Sequence, residues 1–497
     1  MPAAPQGPRT TDGTGSGARP RQVIGPAVLA LVLVLVGVQG LGKEMWYDEA
    51  YTILCYVVPG ASFSLTHLAV PNNHVLYSVL LSPLARWHLE PIYRLPSLIA
   101  AAVAVWLTGR AVRGAAEVSA RLRWTVVLSA FAAFPAFLSF ATQIRGYALA
   151  MALVAACTAL IVPTPERRTP ARGVAYALAG AAAVATVVTS LLPLAALAAF
   201  DLARAAVRSR PRVRALAALA APHAAVLAGL AVYVPMWRDV EANAGKGWGV
   251  SGWPLASEVV LALVLPFGVL AAAAVLAGRG GRGEAGERSA SEYALLGAAA
   301  AAVAVIVLLS GVRLFPRSFT GFIPLAVASV AGMASRALAA RPRVLLASAV
   351  ATAALGQAYW QLGVNVALAD GRWLVPKVLL PGQYEARDFD PSQAVAAALD
   401  AARPGGAVFV DNRDSYCDEM ALYYYAVMAG SERAIVFAPR GLTRVPAPGE
   451  IAGAVAVSRD VEGRDGIAAA LGVRAARWQA LKGGGHFKVW RLVGWGG

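Results

Sequence analysis

Three stretches of this chain, Val23–Leu41, Ala215–Trp237 and Ala294–Val312, run the length of a lipid hydrocarbon core without a carboxylate, lysine or arginine; one His interrupts the second. A helix needs about 20 apolar residues to cross a bilayer. In lipid, every backbone N–H and C=O must also find its partner within the protein. A chain that repeats such runs is confined to helices that use lipid as solvent. The whole composition agrees: 58% of residues are hydrophobic and only 14% charged, against about 25% charged in a soluble domain.

Apolar periodicity and length place about eleven spans, at 23–41, 93–109, 124–141, 146–162, 173–189, 191–204, 215–236, 257–277, 293–312, 318–336 and 343–363. The net charge of +16 does not point to nucleic acid, because the arginines gather in alternate short loops. Arg110, Arg113, Arg121 and Arg123 fall in one such loop, and Arg204, Arg208, Arg210, Arg212 and Arg214 in another. This is the positive-inside asymmetry. It places the N-terminus in the cytoplasm of a multi-pass cell-membrane protein, and residues 1–22, rich in Pro, Gly, Thr and Ala, read as a disordered cytoplasmic tail. The apolar segment Val75–Trp87 is too short to span. Residues 43–92 therefore read as one long external loop with short helices at the membrane surface.

Composition changes after residue 364. "AVFVDN", "RAIVFAP", "AVAVSRD" and "HFKVWRLV" read as strands, and "DPSQAVAAALDAAR" as an amphipathic helix with Asp390 as its N-cap. Residues 364–497 are expected to form a small α/β domain, and with an odd number of spans before it that domain is extracytoplasmic. Cys55, Cys157 and Cys417 show no metal-ligand spacing. The sequence leaves open whether Cys55 and Cys417 pair.

The membrane part (23–363) carries its main non-cytoplasmic polar groups on one side. Asp48 and Glu49 lie in "KEMWYDEAYTILCYV" with Lys43; Asn72, Asn73 and His74 lie in "PNNHVLY"; Arg145 and Tyr147 lie in "QIRGYAL"; Arg313 and Arg317 lie in "RLFPRSF". Taken singly, each also reads plainly: an acidic pair at a helix start, an interfacial His, arginines flanking or snorkelling from a span. Ionisable groups at membrane depth are by default a functional hypothesis. Arginines grip phosphate oxygens in pairs of hydrogen bonds, and a carboxylate can take a proton from a hydroxyl. Together they suit a phosphorylated, lipid-borne substrate.

The order "WYDEAYT", "NNHVLYSVLL", "YRLPSLIAAAVAV", "QIRGYAL" and "FPRSFTGFIPLA" resembles the lipid-linked-sugar glycosyltransferases of the GT-C fold, a superfamily that includes protein O-mannosyltransferases and aminoarabinose transferases. The resemblance is strong over residues 44–150 and weaker beyond. It implies a polyprenyl-phosphate sugar donor, Asp48 as general base with Glu49 beside it, and His74 in the donor/acceptor loop. It also implies Arg94, Arg145 and Tyr147 lining the cavity, with Arg317 in the later Pro-Arg-aromatic element. The chain departs from the family in lacking the two prolines that many relatives carry between the loop His and Tyr, here His74-Val75-Leu76-Tyr77. The C-terminal domain matches no named module.

The expected function is transfer of a sugar from a polyprenyl-phosphate donor to an acceptor hydroxyl, inverting, on the outer face of the membrane. The donor phosphate would lie among Arg145, Arg317 and Lys43, with Asn73 among the substrate-binding residues. A divalent cation bridging Asp48 or Glu49 to the phosphate is compatible with hard oxygen ligands, although no dedicated metal spacing is present. The alternative is a transporter or flippase of lipid-linked sugar, which would use the arginines but need no base. Against it stand the absence of inverted repeats and the confinement of the polar groups to one face. A non-catalytic scaffold would not need the polar groups at all. The acceptor and the sugar are not legible.

Overall fold

The computed structural model describes residues 41, 45, 47–68, 73–87, 89–112, 120–163, 169–208, 213–244, 272, 284–310, 314, 316–338, 341–370, 391–411, 419–429, 434–438, 441–442, 445–458, 461–481 and 487–496. The expected tail, the spans 23–41 and 257–277, and Lys43, Asn72, Arg313, Asp390 and Cys417 fall outside the described residues.

Every other expected span falls on helix. Glu90–Ala111, Tyr147–Ile161, Pro170–Thr186, Leu191–Arg208, Glu284–Leu309, Ile323–Ala337 and Pro342–Asp370 are α-helices, and Val213–Ala225 continues into a 3₁₀ stretch, Val226–Tyr233. By length and apolarity, three described helical segments can cross a membrane: Glu90–Ala111, Val188–Val207 and Arg317–Arg336. Tyr147–Ile161, Ala217–Tyr233, Tyr293–Leu309 and Pro342–Gly356 are shorter apolar helices. The chain is thus a helical membrane protein.

One expected span is not straight. Residues 124–141 form two helices, Leu122–Ala132 and Ala136–Thr142, bent by 85°. The cause is local. A residue before proline is driven out of the helical region, and Phe134, preceding Pro135, adopts an extended φ of −95° and ψ of 106°. The bend delivers the end of the second helix to the turn that carries Arg145.

The bundle core runs from Ala100 and Ala104 through Phe131, Phe134 and Met151 to Phe200, Phe319, Leu325 and Ala331. Small residues set how closely its helices approach. A Cβ at Gly229 would fall 2.2 Å from the Ala181 carbonyl oxygen, and one at Gly356 would fall 2.4 Å from Ala133 Cα. Arg204, which the sequence placed in a loop, lies in the Leu191–Arg208 helix. Its guanidinium donates to Val162 O at 3.0 Å and Ile161 O at 2.8 Å, satisfying orphan carbonyls at the end of Tyr147–Ile161. Asp201, fully buried, pairs with Arg204 and with His223, which also meets Tyr176 Oη at 2.8 Å. That polar cluster ties three helices together and was not visible in the sequence.

The loop of residues 43–92 is built of short pieces: Tyr47–Thr52, Ile53–Val57, Ala61–Thr66, Val75–Leu81 and Ser82–Trp87. Beyond the bundle lies a six-stranded sheet of β1 (Val408–Asp411), β2 (Ala434–Ala438), β3 (Gly441–Leu442), β4 (Val455–Ser458), β5 (Arg474–Ala480) and β6 (Lys488–Gly496), in the order β3-β2-β1-β4-β6-β5. β1 is parallel to both β2 and β4, while β3, β5 and β6 pair antiparallel. β3 and β5 lack the apolar runs that marked the other strands in the sequence. Val408 and Val410 face the helices Pro391–Ala401 and Glu419–Met428, whereas Phe409 faces Ile467 of Val461–Ala470. Both faces are covered where the parallel strands β1, β2 and β4 run together.

The Gly356 contact yields a stability prediction. Gly356→Val should lower the melting temperature in detergent, because the added methyls meet the Ala133 backbone rather than a side chain that can move; overpacking costs about 1–3 kcal/mol. An unchanged melting temperature would refute the close helix approach.

Candidate active site

The site is built around Tyr47–Thr52, which carries Asp48 and Glu49 in its first turn, where negative charge complements the helix dipole. Both carboxylates are buried, at 5% and 1% exposure. Neighbours in sequence, they are divided between two separate partnerships.

Glu49 faces the bundle. Its Oε1 accepts from Arg94 Nη1 at 2.8 Å and its Oε2 from Arg94 Nη2 at 3.2 Å, a bidentate pair. Oε1 also accepts from the Ile144 backbone N–H at 2.7 Å. Arg94 Nη1 donates further to Thr142 O at 2.9 Å. One ion pair therefore fastens the Tyr47–Thr52 helix, the start of Glu90–Ala111 and the end of Pro135–Thr142. The sequence grouped Glu49 with the catalytic groups and Arg94 with the cavity lining. Geometry instead points both at each other and at backbone, because a buried guanidinium needs acceptors on several sides.

Asp48 faces the other way. Its Oδ2 accepts from Arg145 Nη1 at 2.5 Å and lies 3.5 Å from Arg317 Nη1. Arg145 sits in the turn between Pro135–Thr142 and Tyr147–Ile161, held by its own N–H donating to Gln143 O at 2.8 Å. Arg317 comes from the 3₁₀ turn Pro316–Phe322. Its side chain is 15% exposed, against 1% for Arg145, so the cluster opens on the Arg317 side.

His74 completes this half. Arg145 Nε donates to His74 Nε2 at 3.3 Å, so that nitrogen carries the lone pair. Burial first, then Arg145 and Arg317, hold the imidazole well below its ordinary range, and it is neutral at physiological pH. The Tyr147 ring meets His74 edge-on at 4.8 Å and lies under the Arg145 guanidinium at 5.0 Å. Gly146 makes this packing fit, since a Cβ there would approach His74 Cβ to 2.8 Å and Thr186 Cγ2 to 2.7 Å. No signal in a single sequence marks that glycine.

Asn73 is differently employed from the substrate-binding expectation. Its amide donates to Ser64 O and His67 O at 2.7 and 3.0 Å, and its Oδ1 accepts from Ser78 Oγ at 3.0 Å. It holds the loop that presents His74. Tyr77, unremarked as a site residue, anchors the same loop through Ser97, whose hydroxyl donates to Gln143 O at 2.6 Å. The structure thus brings together Asp48, His74, Arg145, Tyr147 and Arg317, and sets Glu49, Arg94 and Asn73 around them as a frame.

Among the described residues no three His, Cys, Asp or Glu side chains gather, and Asp48, which the sequence offered to a bridging cation, is approached by two guanidiniums.

The frame predicts the effect of opening it. Glu49→Gln leaves the Arg94 guanidinium buried without its counter-charge and should cost about 3–5 kcal/mol, read as a lowered melting temperature and a drop in activity that scales with it. A variant as stable as the parent would remove the clamp from this account.

No family model matches the chain, and no curated protein matches it. Solved structures do. ArnT from Cupriavidus metallidurans bound to undecaprenyl phosphate aligns with a TM-score of 0.52 and 14% identity, over 95% of this chain and 98% of that one. ArnT from the same organism in the apo state aligns at 0.56 and 15%, over 94% and 97%. The correspondence runs nearly end to end in both chains. This chain shares the fold of those ArnT structures, the GT-C fold.

Proposed function

We propose that the chain is a membrane glycosyltransferase that moves a sugar from a polyprenyl-phosphate donor to an acceptor hydroxyl. The observation that carries this reading is the bracketing of Asp48 by Arg145 and Arg317. Asp48 lies within reach of both guanidiniums, and a polyprenyl-phosphate sugar is a phosphodiester whose anionic oxygens are the acceptors that guanidiniums grip in pairs of hydrogen bonds.

In this reading the donor phosphate enters from the Arg317 side and draws the guanidiniums toward itself. Asp48 is then left to take the proton of the acceptor hydroxyl as its oxygen attacks the anomeric carbon. The anomeric C–O bond to phosphate breaks, the sugar inverts, and the phosphate leaves with a second negative charge. Arg145 and Arg317 stabilise that growing charge. Neutral His74 accepts from Arg145 Nε, which fixes the guanidinium plane without adding charge. Glu49, Arg94 and Asn73 take no part in the chemistry and hold the reacting groups in register. The prenyl chain would lie along the apolar faces between helices.

The orientation belongs to the same proposal. The arginine-rich loops mark the cytoplasmic side, which places the N-terminus there and Asp48, the sheet and the acceptor on the outer face. The undecaprenyl phosphate held by ArnT supports a lipid-phosphate donor without indicating the sugar or the acceptor.

Purified protein incubated in detergent with radiolabelled polyprenyl-phosphate sugars tests the reading. Label should move to an acceptor without a sealed membrane, an outcome that a transporter cannot give. Asp48→Asn should lower turnover by about 100-fold or more, well beyond what any fall in yield or melting temperature accounts for; activity near that of the parent would refute the base. Arg145→Ala should lower turnover by about 100-fold or more, through lost stabilisation of the leaving phosphate. An unchanged rate and an unchanged donor KM would reduce Arg145 to a flanking charge.

A further inference from the structure

The helix Glu419–Met428 belongs to the sheet unit by one face and to the active site by the other. Ala421, Leu422 and Ala426 pack on Val408, Val410 and Val455 of the sheet. Tyr424, flanked by Tyr423 and Tyr425, packs in a separate cluster with Met45, Ala50, Ile53, Tyr93 and Ile144, the apolar surround of the Asp48 helix. At this junction Tyr425 Oη accepts a hydrogen bond from the Met45 backbone N–H at 2.9 Å, across 380 positions of sequence. Met45 is fully buried and stands three positions ahead of Asp48.

We infer that Tyr425 is a positioning residue for Asp48: the sheet unit sets the entry of the Tyr47–Thr52 helix and with it the reach of the carboxylate. The helix spans only six residues, too short to be stable alone, so its placement comes from what holds its ends and sides. The Glu49–Arg94 and Asp48–Arg145 pairs hold its first turn by the side chains, and the attachment at Met45 holds the backbone that leads into that turn. Met45 N–H precedes the first helical residue and has no partner within the helix to satisfy it, so the phenol oxygen also meets the need of a buried donor.

The proposal rests on the glycosyltransferase reading for its kinetic consequence, but not for its structural one. Tyr425→Phe keeps the ring and its packing and removes the acceptor oxygen. Tyr424→Phe is the matched control, since the buried Tyr424 hydroxyl makes no hydrogen bond among the described residues. Two measurements on the full chain decide the matter: amide hydrogen exchange over residues 45–52, and steady-state transfer with a polyprenyl-phosphate sugar. Tyr425→Phe should speed exchange over 45–52 and lower kcat about five- to tenfold, the worth of one hydrogen bond, with donor KM held and a fall in melting temperature too small to unfold the protein at the assay temperature. Tyr424→Phe should match the parent in both. Unchanged exchange in Tyr425→Phe overturns the attachment, and faster exchange with unchanged kcat overturns the positioning role. A fall in kcat that tracks a lowered melting temperature, or that Tyr424→Phe reproduces, overturns it as well. Failure of the parent to transfer sugar from any donor would instead bring down the enzymatic reading, while the exchange measurement would still decide the attachment.

Discussion

The ion pair between Glu49 and Arg94, closed on both oxygens and buried to about 1% exposure, is the contact on which the site depends. A guanidinium and a carboxylate withdrawn from water gain little net stability unless their remaining hydrogen-bonding capacity is met. Here the Ile144 N–H and the Thr142 carbonyl meet much of it. The pair therefore specifies an arrangement: three segments distant in sequence fit together in one register. Asp48, on the opposite side of the same short helix, is thereby aimed at Arg145 and Arg317.

Charge divides the work in the site. Glu49 and Arg94 cancel each other and contribute geometry. Asp48 lies between the guanidiniums of Arg145 and Arg317. Burial and the two arginines oppose protonation of His74, so it orients Arg145 without adding charge. At the other end of Tyr147–Ile161, Asp201, His223, Tyr176 and Arg204 form a second polar cluster, in which Arg204 also satisfies the carbonyls of that helix end.

The sheet unit is more than an appendage on the bundle. Its helix Glu419–Met428 inserts tyrosines beside the Asp48 helix, so whatever the sheet contacts is mechanically close to Asp48. Glycines serve a similar purpose within the bundle. Gly146 admits His74 against the Arg145 turn, and Gly356 and Gly229 admit neighbouring backbones. In lipid, where apolar surface alone does not drive helices together, such close approach supplies the packing.

Much of the fold was written in one dimension. Uncharged runs near 20 residues give helices because lipid leaves the backbone no other partner, and the β-rich segments after residue 364 announce themselves by short apolar runs. Asp48, His74, Arg145 and Arg317 could be singled out because ionisable groups beside apolar spans are costly and few. What the sequence did not determine is which of them meet. "DE" reads as a unit, yet helical geometry turns adjacent side chains about 100° apart, and tertiary packing sends one carboxylate to Arg145 and the other to Arg94. The 85° bend at Ala132–Ala136 has its local cause in Pro135, but the capping by Arg204 and the bond from Met45 to Tyr425 are decided only in three dimensions. Each of these contacts joins partners whose separation along the chain carries no pattern, and each exists because a buried polar group must find another wherever the fold brings one within reach.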